Sequence, residues 1–232
     1  IIYPIERTTW VSPIVVIPKK NGKIRICVDY RQVIDASIKD NYPVPYIEHL
    51  LERVAGAEAY SFIDGFSGCN QILVVPEDQH KTAFATEFGT FVYKQMPFGL
   101  ISALRTYQRA ADHIFAERLR QGVESYVDDL CCHSKWHAHL ALLRLTFEKC
   151  REYQLSLNPL KCQFWVKHRL ILGHVVSRHG ISTDEAKVKL ILDMPPPANE
   201  KQLQGFMGYA GYYRRFIKMF VDKARPLYAL LR

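Results

Sequence analysis

The sequence predicts an α+β fold, with an antiparallel sheet and helices mainly on one face of that sheet. Two observations carry this prediction. Short β-prone runs alternate irregularly with segments of helical period, and two of those runs flank an Asn-Gly dipeptide, which is a strong hairpin signal. The 232 residues, 48% hydrophobic and 23% charged, are also an ordinary globular composition. Disordered and fibrous classes are therefore excluded.

The first predicted elements are a hairpin and a helix. Residues 14–17 and 24–28 are β-prone and are joined across a basic segment that contains Asn21-Gly22. A helix is predicted over residues 47–54, because apolar residues recur there at i, i+3, i+4 and i+7. Gly56 is suited to end that helix.

A strand is predicted over residues 59–63, and it ends at Asp64 beside Gly65 and Gly68. Glycines there would let another group approach the backbone closely. The later predictions are strands at 71–75, 82–86 and 91–95, a helix at 102–115, β-prone flanks around Asp128-Asp129, a helix to about residue 153, a strand at 170–176, a helix at 185–192, and an aromatic-basic helical tail beyond the break at Pro195-Pro196-Pro197.

The charge balance favours a polyanionic partner. The chain carries 31 Lys and Arg against 23 Asp and Glu, a formal net charge of +8. Charge alone is weak support, since many basic proteins never touch nucleic acid. No run approaches 18 apolar residues and no signal-peptide pattern is present, so neither membrane insertion nor secretion is predicted.

The six cysteines include no C-x-x-C pair, which argues against a disulfide framework or a zinc knuckle and favours a reduced intracellular setting. Three histidines, His133, His137 and His139, lie close together in the sequence. Without a partnering cysteine or an H-E-x-x-H pattern, packed or solvated histidines are the favoured interpretation over metal ligands.

Asp64, Asp128 and Asp129 are the candidate chemical site. Two adjacent carboxylates repel unless a cation neutralises them, and a third from another strand would complete an oxygen-ligand site for Mg²⁺. Because successive strand side chains point to opposite faces, Asp128 and Asp129 can share a site only at a tight turn. The alternative is that Asp128-Asp129 is an ordinary turn and Asp64 a solvated loop residue. From the pattern alone, this alternative is as good as the metal site.

Eight short blocks follow one another along the chain. They are Ser12-Pro13-Ile14-Val15, Lys19-Lys20 with Ile24 to Arg31, Phe62-Ile63-Asp64, Lys81-Thr82-Ala83-Phe84, Met96-Pro97-Phe98-Gly99-Leu100, Tyr126-Val127-Asp128-Asp129, Asn158-Pro159-Leu160-Lys161-Cys162 and Leu172-Gly173-His174. In this order they resemble the blocks of reverse transcriptases of the Ty3/gypsy class of LTR retrotransposons, and the resemblance covers essentially the whole chain. A further segment, Gly208 to Phe216, resembles the start of the connection region before ribonuclease H.

The resemblance implies a right-hand polymerase fold, with fingers over residues 1–58, a palm over 59–178 and the start of a thumb or connection over 179–232. It implies an RNA-directed DNA polymerase that uses two Mg²⁺ ions, an RNA template, a nucleic-acid primer and deoxynucleoside triphosphates. It also implies a fragment of a larger polyprotein with ribonuclease H and integrase domains, working in cytoplasmic particles.

The same resemblance assigns roles to single residues. Asp64, Asp128 and Asp129 would hold the magnesium ions, and Lys161 would protonate the departing pyrophosphate. The incoming nucleotide would be contacted by Lys19, Lys20, Arg25, Cys69, Phe98 and Gly99. Primer and template would be contacted by Tyr126, Leu172, Gly173 and His174.

Several positions depart from the family pattern. Cys69 stands where a bulky aromatic usually excludes ribonucleotides, and Asn70 and Leu104-Arg105 are also unusual. Before the paired aspartates, Gly122, Glu124 and Ser125 replace apolar or β-branched residues; glycine weakens a strand and a buried glutamate without a partner destabilises it. A catalytically inactive domain that at most binds nucleic acid is therefore the alternative function. The tail residues Tyr209, Tyr212, Tyr213, Arg214 and Arg215 fit either stacking on nucleic acid or core packing.

Overall fold

A computed structural model describes residues 1–18, 22 and 24–231, without the side chain of Arg25. Lys19, Lys20 and the Arg25 side chain, assigned above to the triphosphate, therefore lie outside the described residues. The strands are β1 (Ile2–Pro4), β2 (Ile14–Pro18), β3 (Ile24–Val28), β4 (Ala59–Asp64), β5 (Phe84–Thr86), β6 (Gly89–Tyr93), β7 (Val123–Tyr126), β8 (Asp129–Ser134), β9 (Gln163–Val166), β10 (His168–Ile171), β11 (His174–Ser177) and β12 (Gly180–Thr183). The helices are α1 (Arg31–Ala36), α2 (Ile47–Val54), α3 (Pro76–Gln79), α4 (Ala103–Ile114), α5 (His139–Glu152), α6 (Glu185–Leu192), α7 (Glu200–Tyr212) and α8 (Phe220–Ala229).

The central sheet has the antiparallel order β7-β8-β4-β9. Strand β4 lies inside it, and its residues 59–63 are all buried. Alternate side chains of β4 point to opposite faces. Tyr60 and Phe62 pack against α2 and the β10-β11 hairpin, whereas Ile63 packs with Phe115 and Leu143, from the end of α4 and from α5. The sheet is thus buried on both faces, and the predicted α+β class with an antiparallel sheet is confirmed.

Smaller sheets flank the central one. The N-terminal β1 joins β6 and β5 in a three-stranded sheet, while β2 and β3 form the predicted basic hairpin with Ile14 opposite Val28. A third sheet has the order β10-β11-β12. Because β1 pairs with β6, residues 1–58 do not form a self-contained unit. The domain boundaries at residues 58 and 178 stay a prediction.

The C-terminal helices form a separate small core. Leu203 and Met207 of α7 pack against Ala224 of α8. The caps of α6 and α7 are Asp184 and Asn199, whose side chains accept from backbone N–H groups of the first turn. In the part of the chain that the structure describes, no helix is long and apolar enough to cross a membrane.

Two predicted strands are wrong. Residues 68–71 form a 3₁₀ turn, and only a bridge between Leu73 and Gln95 remains of the strand predicted at 71–75. The strand predicted at 170–176 is a hairpin, because Leu172 and Gly173 have φ values of 45° and 73° and reverse the chain. Apolar runs predict extended structure without locating such left-handed turns. The short elements β1, β9, β12 and α1 were not predicted.

Glu124 is buried but has a partner. Its side chain is 3% exposed, and Arg53 of α2 donates Nε to Oε1 at 2.9 Å and Nη2 to Oε2 at 2.8 Å. This forked arrangement satisfies both carboxylate oxygens. The concern that an unpaired glutamate would weaken β7 is therefore answered by a residue 71 positions earlier in the chain.

Arg53→Ala should lower the free energy of unfolding by about 3–5 kcal/mol, because Glu124 would be left buried and unpaired. Urea denaturation followed by circular dichroism measures the change. Arg225→Ala is the matched control, since its exposed pair with Asp222 should contribute at most about 1 kcal/mol. Equal losses in the two variants would show that the Arg53 pair has no special role.

Candidate active site

The three aspartates meet at one end of the central sheet. Asp64 ends β4 directly opposite Asp129, the first residue of β8. Asp128 occupies the two-residue turn between β7 and β8, because Tyr126 pairs with Asp129. The backbone N–H of Gly65 donates to the carbonyl of Asp128 at 3.1 Å and holds this turn against the end of β4. The prediction of a tight hairpin turn at the paired aspartates is confirmed.

The turn is held in a demanding conformation. Val127 has a φ of 53°, a left-handed value that is costly for a β-branched residue. The side chain of Gln108, on α4, accepts the Val127 N–H through Oε1 at 2.6 Å. Its Nε2 donates to Ser125 Oγ and to Asp112 Oδ1, both at 2.8 Å. A fully buried glutamine therefore supports the aspartate turn from below.

The same network explains the polar Ser125. Its hydroxyl donates to Asp112 Oδ1 at 2.7 Å, and Tyr42 donates to Asp112 Oδ2 at the same distance. Ser125 thus has partners rather than weakening β7. Sequence reasoning missed Gln108 and Asp112. The sequence did contain a signal for them: Gln108 and Asp112 are two polar residues spaced i, i+4 beside the apolar inner face of the predicted helix.

The electrostatics of the site disfavour charge on two of the aspartates. Burial, then the neighbouring Asp64 and Asp129 carboxylates, raise the pKa of Asp128 above its ordinary value. Partial desolvation by the surrounding protein, then the Asp64 carboxylate, likewise raises the pKa of Asp129, which stays exposed at the start of β8. Lys161 partly offsets this repulsion, with its Nζ 3.2 Å from Asp64 Oδ2. The site therefore holds more negative charge than its own cations neutralise.

Asp128 lies against Gly68. A methyl group at Gly68 would collide with Asp128 Oδ1 and would lie 3.0 Å from its Cγ and 3.1 Å from Tyr107 Cζ. Asp128 Oδ1 is buried and has no hydrogen-bond partner among the residues that the structure describes. Gly68 is thus required by close packing, as the prediction for the glycines after Asp64 supposed.

The residues suit a hard divalent cation in their chemistry. The site has three carboxylates, and among the described residues the buried Asp128 Oδ1 has no partner. The pKa values of Asp128 and Asp129 are raised. A bound cation would offset each of these features. Within the described residues, however, no three His, Cys, Asp or Glu side chains are already placed to hold a metal ion. The donor set therefore fits Mg²⁺, while the carboxylates are not gathered around a common point.

The predicted nucleotide contacts lie in different surroundings. Phe98 is 51% exposed, and Gly99 has a φ of 104°; a carbon added at Gly99 would lie 3.5 Å from the Tyr30 ring and from the carbonyl oxygen of Val28. Cys69 is fully buried with Met96, Ala103 and Tyr107, and burial raises the pKa of its thiol to about 11. The Cys69 thiol is therefore a packing group in this arrangement.

The predicted primer contacts are grouped. Leu172 and Gly173 form the β10-β11 turn, and Leu172 and Tyr126 border one apolar cluster. His174 is 4% exposed and lies behind that turn. The structure thus brings Tyr126, Leu172, Gly173 and His174 to the side of the sheet next to the aspartate turn.

The clustered histidines separate. His139 is fully buried, and its ring nitrogens lie 2.8 Å from the hydroxyl oxygens of Ser61 and Ser134. His133 is half-buried, and its partial removal from water lowers its pKa to about 4. These contacts agree with packed histidines as the favoured interpretation.

The comparisons with known proteins agree with this geometry. The model of the family described as reverse transcriptase (RNA-dependent DNA polymerase) matches residues 17–176. The retrovirus-related Pol polyprotein from transposon 297 of Drosophila melanogaster is 35% identical over 230 residues, 99% of this chain and 22% of that protein. The transposon Tf2-3 polyprotein of Schizosaccharomyces pombe is 32% identical over 222 residues, 95% of this chain and 17% of that protein.

The fold is also found in solved structures. A foamy viral protease-reverse transcriptase in complex with double-stranded DNA matches 99% of this chain and 40% of that chain, with a TM-score of 0.91 at 22% identity. The same viral enzyme in complex with an RNA/DNA hybrid matches with a TM-score of 0.85 at 21% identity. The predicted right-hand polymerase fold is confirmed.

The chain belongs to the reverse transcriptase family of RNA-dependent DNA polymerases. Its relatives are Pol polyproteins of transposons of the Ty3/gypsy class of LTR retrotransposons, so the resemblance stated from the sequence is confirmed. The chain spans about a fifth of the length of these polyproteins.

Gly68→Ala should lower the free energy of unfolding by about 1–3 kcal/mol, because the new methyl group collides with Asp128 or forces it to move. The control is Gly205→Ala in α7, where, apart from the chain neighbours and the helix's own backbone, no atom of the described residues lies within 4 Å of the added carbon. That control should be stabilised by roughly 0.5–1 kcal/mol, since alanine is the better helix former. Urea titrations of both variants decide, and a Gly68→Ala protein as stable as wild type would contradict the packing argument.

Asp128→Asn should raise stability at pH 7, since it removes a half-buried charge that its neighbours repel. A carboxyl whose pKa rises on folding binds its proton more tightly in the folded state. Its acid form therefore stabilises the wild type below the ordinary carboxyl range, and this stability is lost as pH rises through the raised pKa. The advantage of the variant should thus shrink toward pH 4.

Thermal denaturation at both pH values, with and without MgCl₂, measures this difference. Magnesium should raise the midpoint of wild type more than that of Asp128→Asn, because ligand binding to the folded state adds stability. Asp222→Asn, an exposed change on α8, is the control and should respond as wild type does. A variant advantage that grows at low pH would contradict the assigned repulsion.

Proposed function

We propose that this chain catalyses template-directed DNA synthesis, transferring deoxynucleotides to the 3′-hydroxyl of a primer. The observation that carries the proposal is the pairing of Asp64 with Asp129 across β4 and β8, with Asp128 in the adjoining turn. Three carboxylates that repel one another at the end of a rigid, buried sheet suit a site that is completed by cations. Family membership gives the polymerase reaction to which such a site belongs.

Asp64, Asp128 and Asp129 would hold two Mg²⁺ ions. When bound, such ions activate the primer hydroxyl and neutralise the pyrophosphate. The chain positions these carboxylates. Gln108 fixes the turn that carries Asp128, and the pairing of β4 with β8 fixes Asp64 opposite Asp129. Rigid support of this kind matters because small displacements of reacting groups lower rates steeply.

Lys161 is the proposed proton donor. During transfer, the primer 3′-hydroxyl loses its proton to solvent, a bond forms between the 3′-oxygen and the α-phosphorus, and the bond from that phosphorus to the pyrophosphate oxygen breaks. The Lys161 ammonium is 66% exposed and paired with Asp64, so it borders the site and is open to a phosphate ligand. A proton passed from Nζ to the leaving oxygen would balance the charge that develops there.

The basic hairpin and the primer-side turn would bind the substrates. Lys19, Lys20 and Arg25 supply cations for the triphosphate, and the exposed ring of Phe98 supplies an apolar surface for the nucleotide. The Leu172-Gly173 turn, with Tyr126 and His174, would meet the primer end. An RNA template, a primer and deoxynucleoside triphosphates are thus the proposed partners.

The parent polyprotein is proposed to carry ribonuclease H and integrase domains and to act in cytoplasmic particles. Support comes from the share of its relatives that this chain spans, which leaves most of each polyprotein to other domains.

Primer extension on an RNA template with Mg²⁺ tests the polymerase proposal. Wild type should incorporate deoxynucleotides, and Asp128→Asn/Asp129→Asn should reduce the rate by about 100-fold or more, because the cation ligands are lost. A parallel reaction with ribonucleotides tests the position of Cys69. Ribonucleotides should also be incorporated, since the aromatic ring usual at that position is absent.

Asp222→Asn, which lies on α8 outside the site, should extend primers as wild type does. Folded wild-type protein that binds primer-template but adds no nucleotide would support the inactive, binding-only alternative. Activity that survives in the double variant would refute the role given to the aspartates.

A further inference from the structure

The β10-β11 turn is capped by two tyrosines from the end of α7. The hydroxyl of Tyr213 donates to the carbonyl of Gly173 at 2.8 Å, and the hydroxyl of Tyr212 donates to the carbonyl of Leu172. Carbonyls at the tip of a hairpin normally face water. Here each carbonyl of a two-residue turn accepts from a separate ring.

Aromatic packing holds both tyrosines in place. His174, the residue after the turn, lies with its ring centre 5.1 Å from Tyr212, 5.4 Å from Tyr213 and 5.9 Å from Phe216. Its Nδ1 lies 3.1 Å from the same Leu172 carbonyl. Lys187 of α6 lies with Nζ 5.0 Å from the centre of the Tyr212 ring. Turn, histidine and tyrosines therefore form one packed unit.

Gly173 has no room for a side chain in this unit. A carbon added there would lie 2.7 Å from Lys187 Nζ and 3.1 Å from Tyr212 Cε1, and the φ of 73° also favours glycine. The adjoining ion pairs, Arg214 with Glu48 and Arg215 with Glu52, are largely exposed and contribute little. Ring packing and the two hydroxyl contacts are thus the main connection between the turn and the C-terminal helices.

The β10-β11 turn also lies close to the aspartates. Leu172 and Tyr126 border the same apolar cluster, and Tyr126 pairs with Asp129. Arg169, on β10, lies with its guanidinium carbon 4.9 Å from the centre of the Phe62 ring on β4. A shift of the β10-β11 hairpin would therefore alter the surroundings of the aspartates.

We infer that Tyr212 and Tyr213 are positioning residues that hold the Leu172-Gly173 turn, and through it the primer end, in register with the aspartate turn. This inference rests on the proposed polymerase function. In this inference the tyrosine hydroxyls donate to carbonyls of the protein itself. The two rings therefore serve core packing, which was one of the two interpretations of the tail, and not stacking on nucleic acid.

The test uses Tyr213→Phe and the double variant Tyr212→Phe/Tyr213→Phe, which keep the rings and remove only the hydroxyls. Tyr228→Phe, a half-exposed tyrosine of α8, is the matched control. Amide hydrogen exchange over residues 168–177 reports the turn without any substrate. Exchange there should be faster in both test variants and unchanged in the control.

Nucleotide addition is then measured under single-turnover conditions, together with the Kd for primer-template. The maximal rate should fall about fivefold or more for one lost hydrogen bond, with Kd changed less than twofold. A weaker Kd with an unchanged rate, or unchanged exchange in the hairpin, would overturn the inference.

An inactive wild type would refute the proposed function but not end this test. In that case 2-aminopurine at the primer terminus reports how firmly the end is held in the bound complex. Its fluorescence should rise in the test variants at saturating protein, and equal fluorescence in all four proteins would overturn the inference.

Discussion

The pairing of Asp64 with Asp129 across β4 and β8 is the constraint on which the rest of the structure depends. It places like charges side by side at the end of a buried sheet, an arrangement that costs free energy in the absence of cations. The surrounding protein holds this arrangement rather than relieving it. Gly68 leaves space only for the Asp128 carboxylate, and Gln108 fixes the turn in a left-handed conformation. Stability has been traded for placement at this point, as is common where function needs strained groups.

The polar residues that look misplaced in the sequence form a support for that site. Glu124 is paired with Arg53, and Ser125 joins Gln108 and Asp112 in one network. A buried polar group that finds all its partners adds specificity, whereas one without them would destabilise the strand. These departures from the family pattern are therefore accommodated by residues on α2 and α4. Cys69 is likewise packed among apolar neighbours, Met96, Ala103 and Tyr107.

Much of this could be predicted from the sequence, and the failures have a physical pattern. The β2-β3 hairpin, α2, β4 and the helix after Ser102 follow from local periodicity and turn residues, which is why they were found. The aspartates were singled out because adjacent carboxylates repel one another without a cation, and the family resemblance assigned their roles. Gln108 and Arg53 were missed because their partners are 19 and 71 residues away. The strand predicted at 71–75 is wrong because an apolar run does not show whether the segment will pair along its length. Here only the single bridge between Leu73 and Gln95 forms.

The tyrosine caps on the β10-β11 turn also bear on how the molecule is assembled. The two hydroxyl contacts join residues 40 positions apart, and the partner carbonyls precede the tyrosines in the chain. During synthesis β10 and β11 emerge before α7, so the β10-β11 hairpin exists for a time with its turn carbonyls uncapped and His174 uncovered. Non-local contacts of this kind form late and slowly, because the loop between them must be closed first. The order of synthesis thus makes the β10-β11 turn one of the last parts of the structure to reach its final shape, after the aspartate turn is already in place.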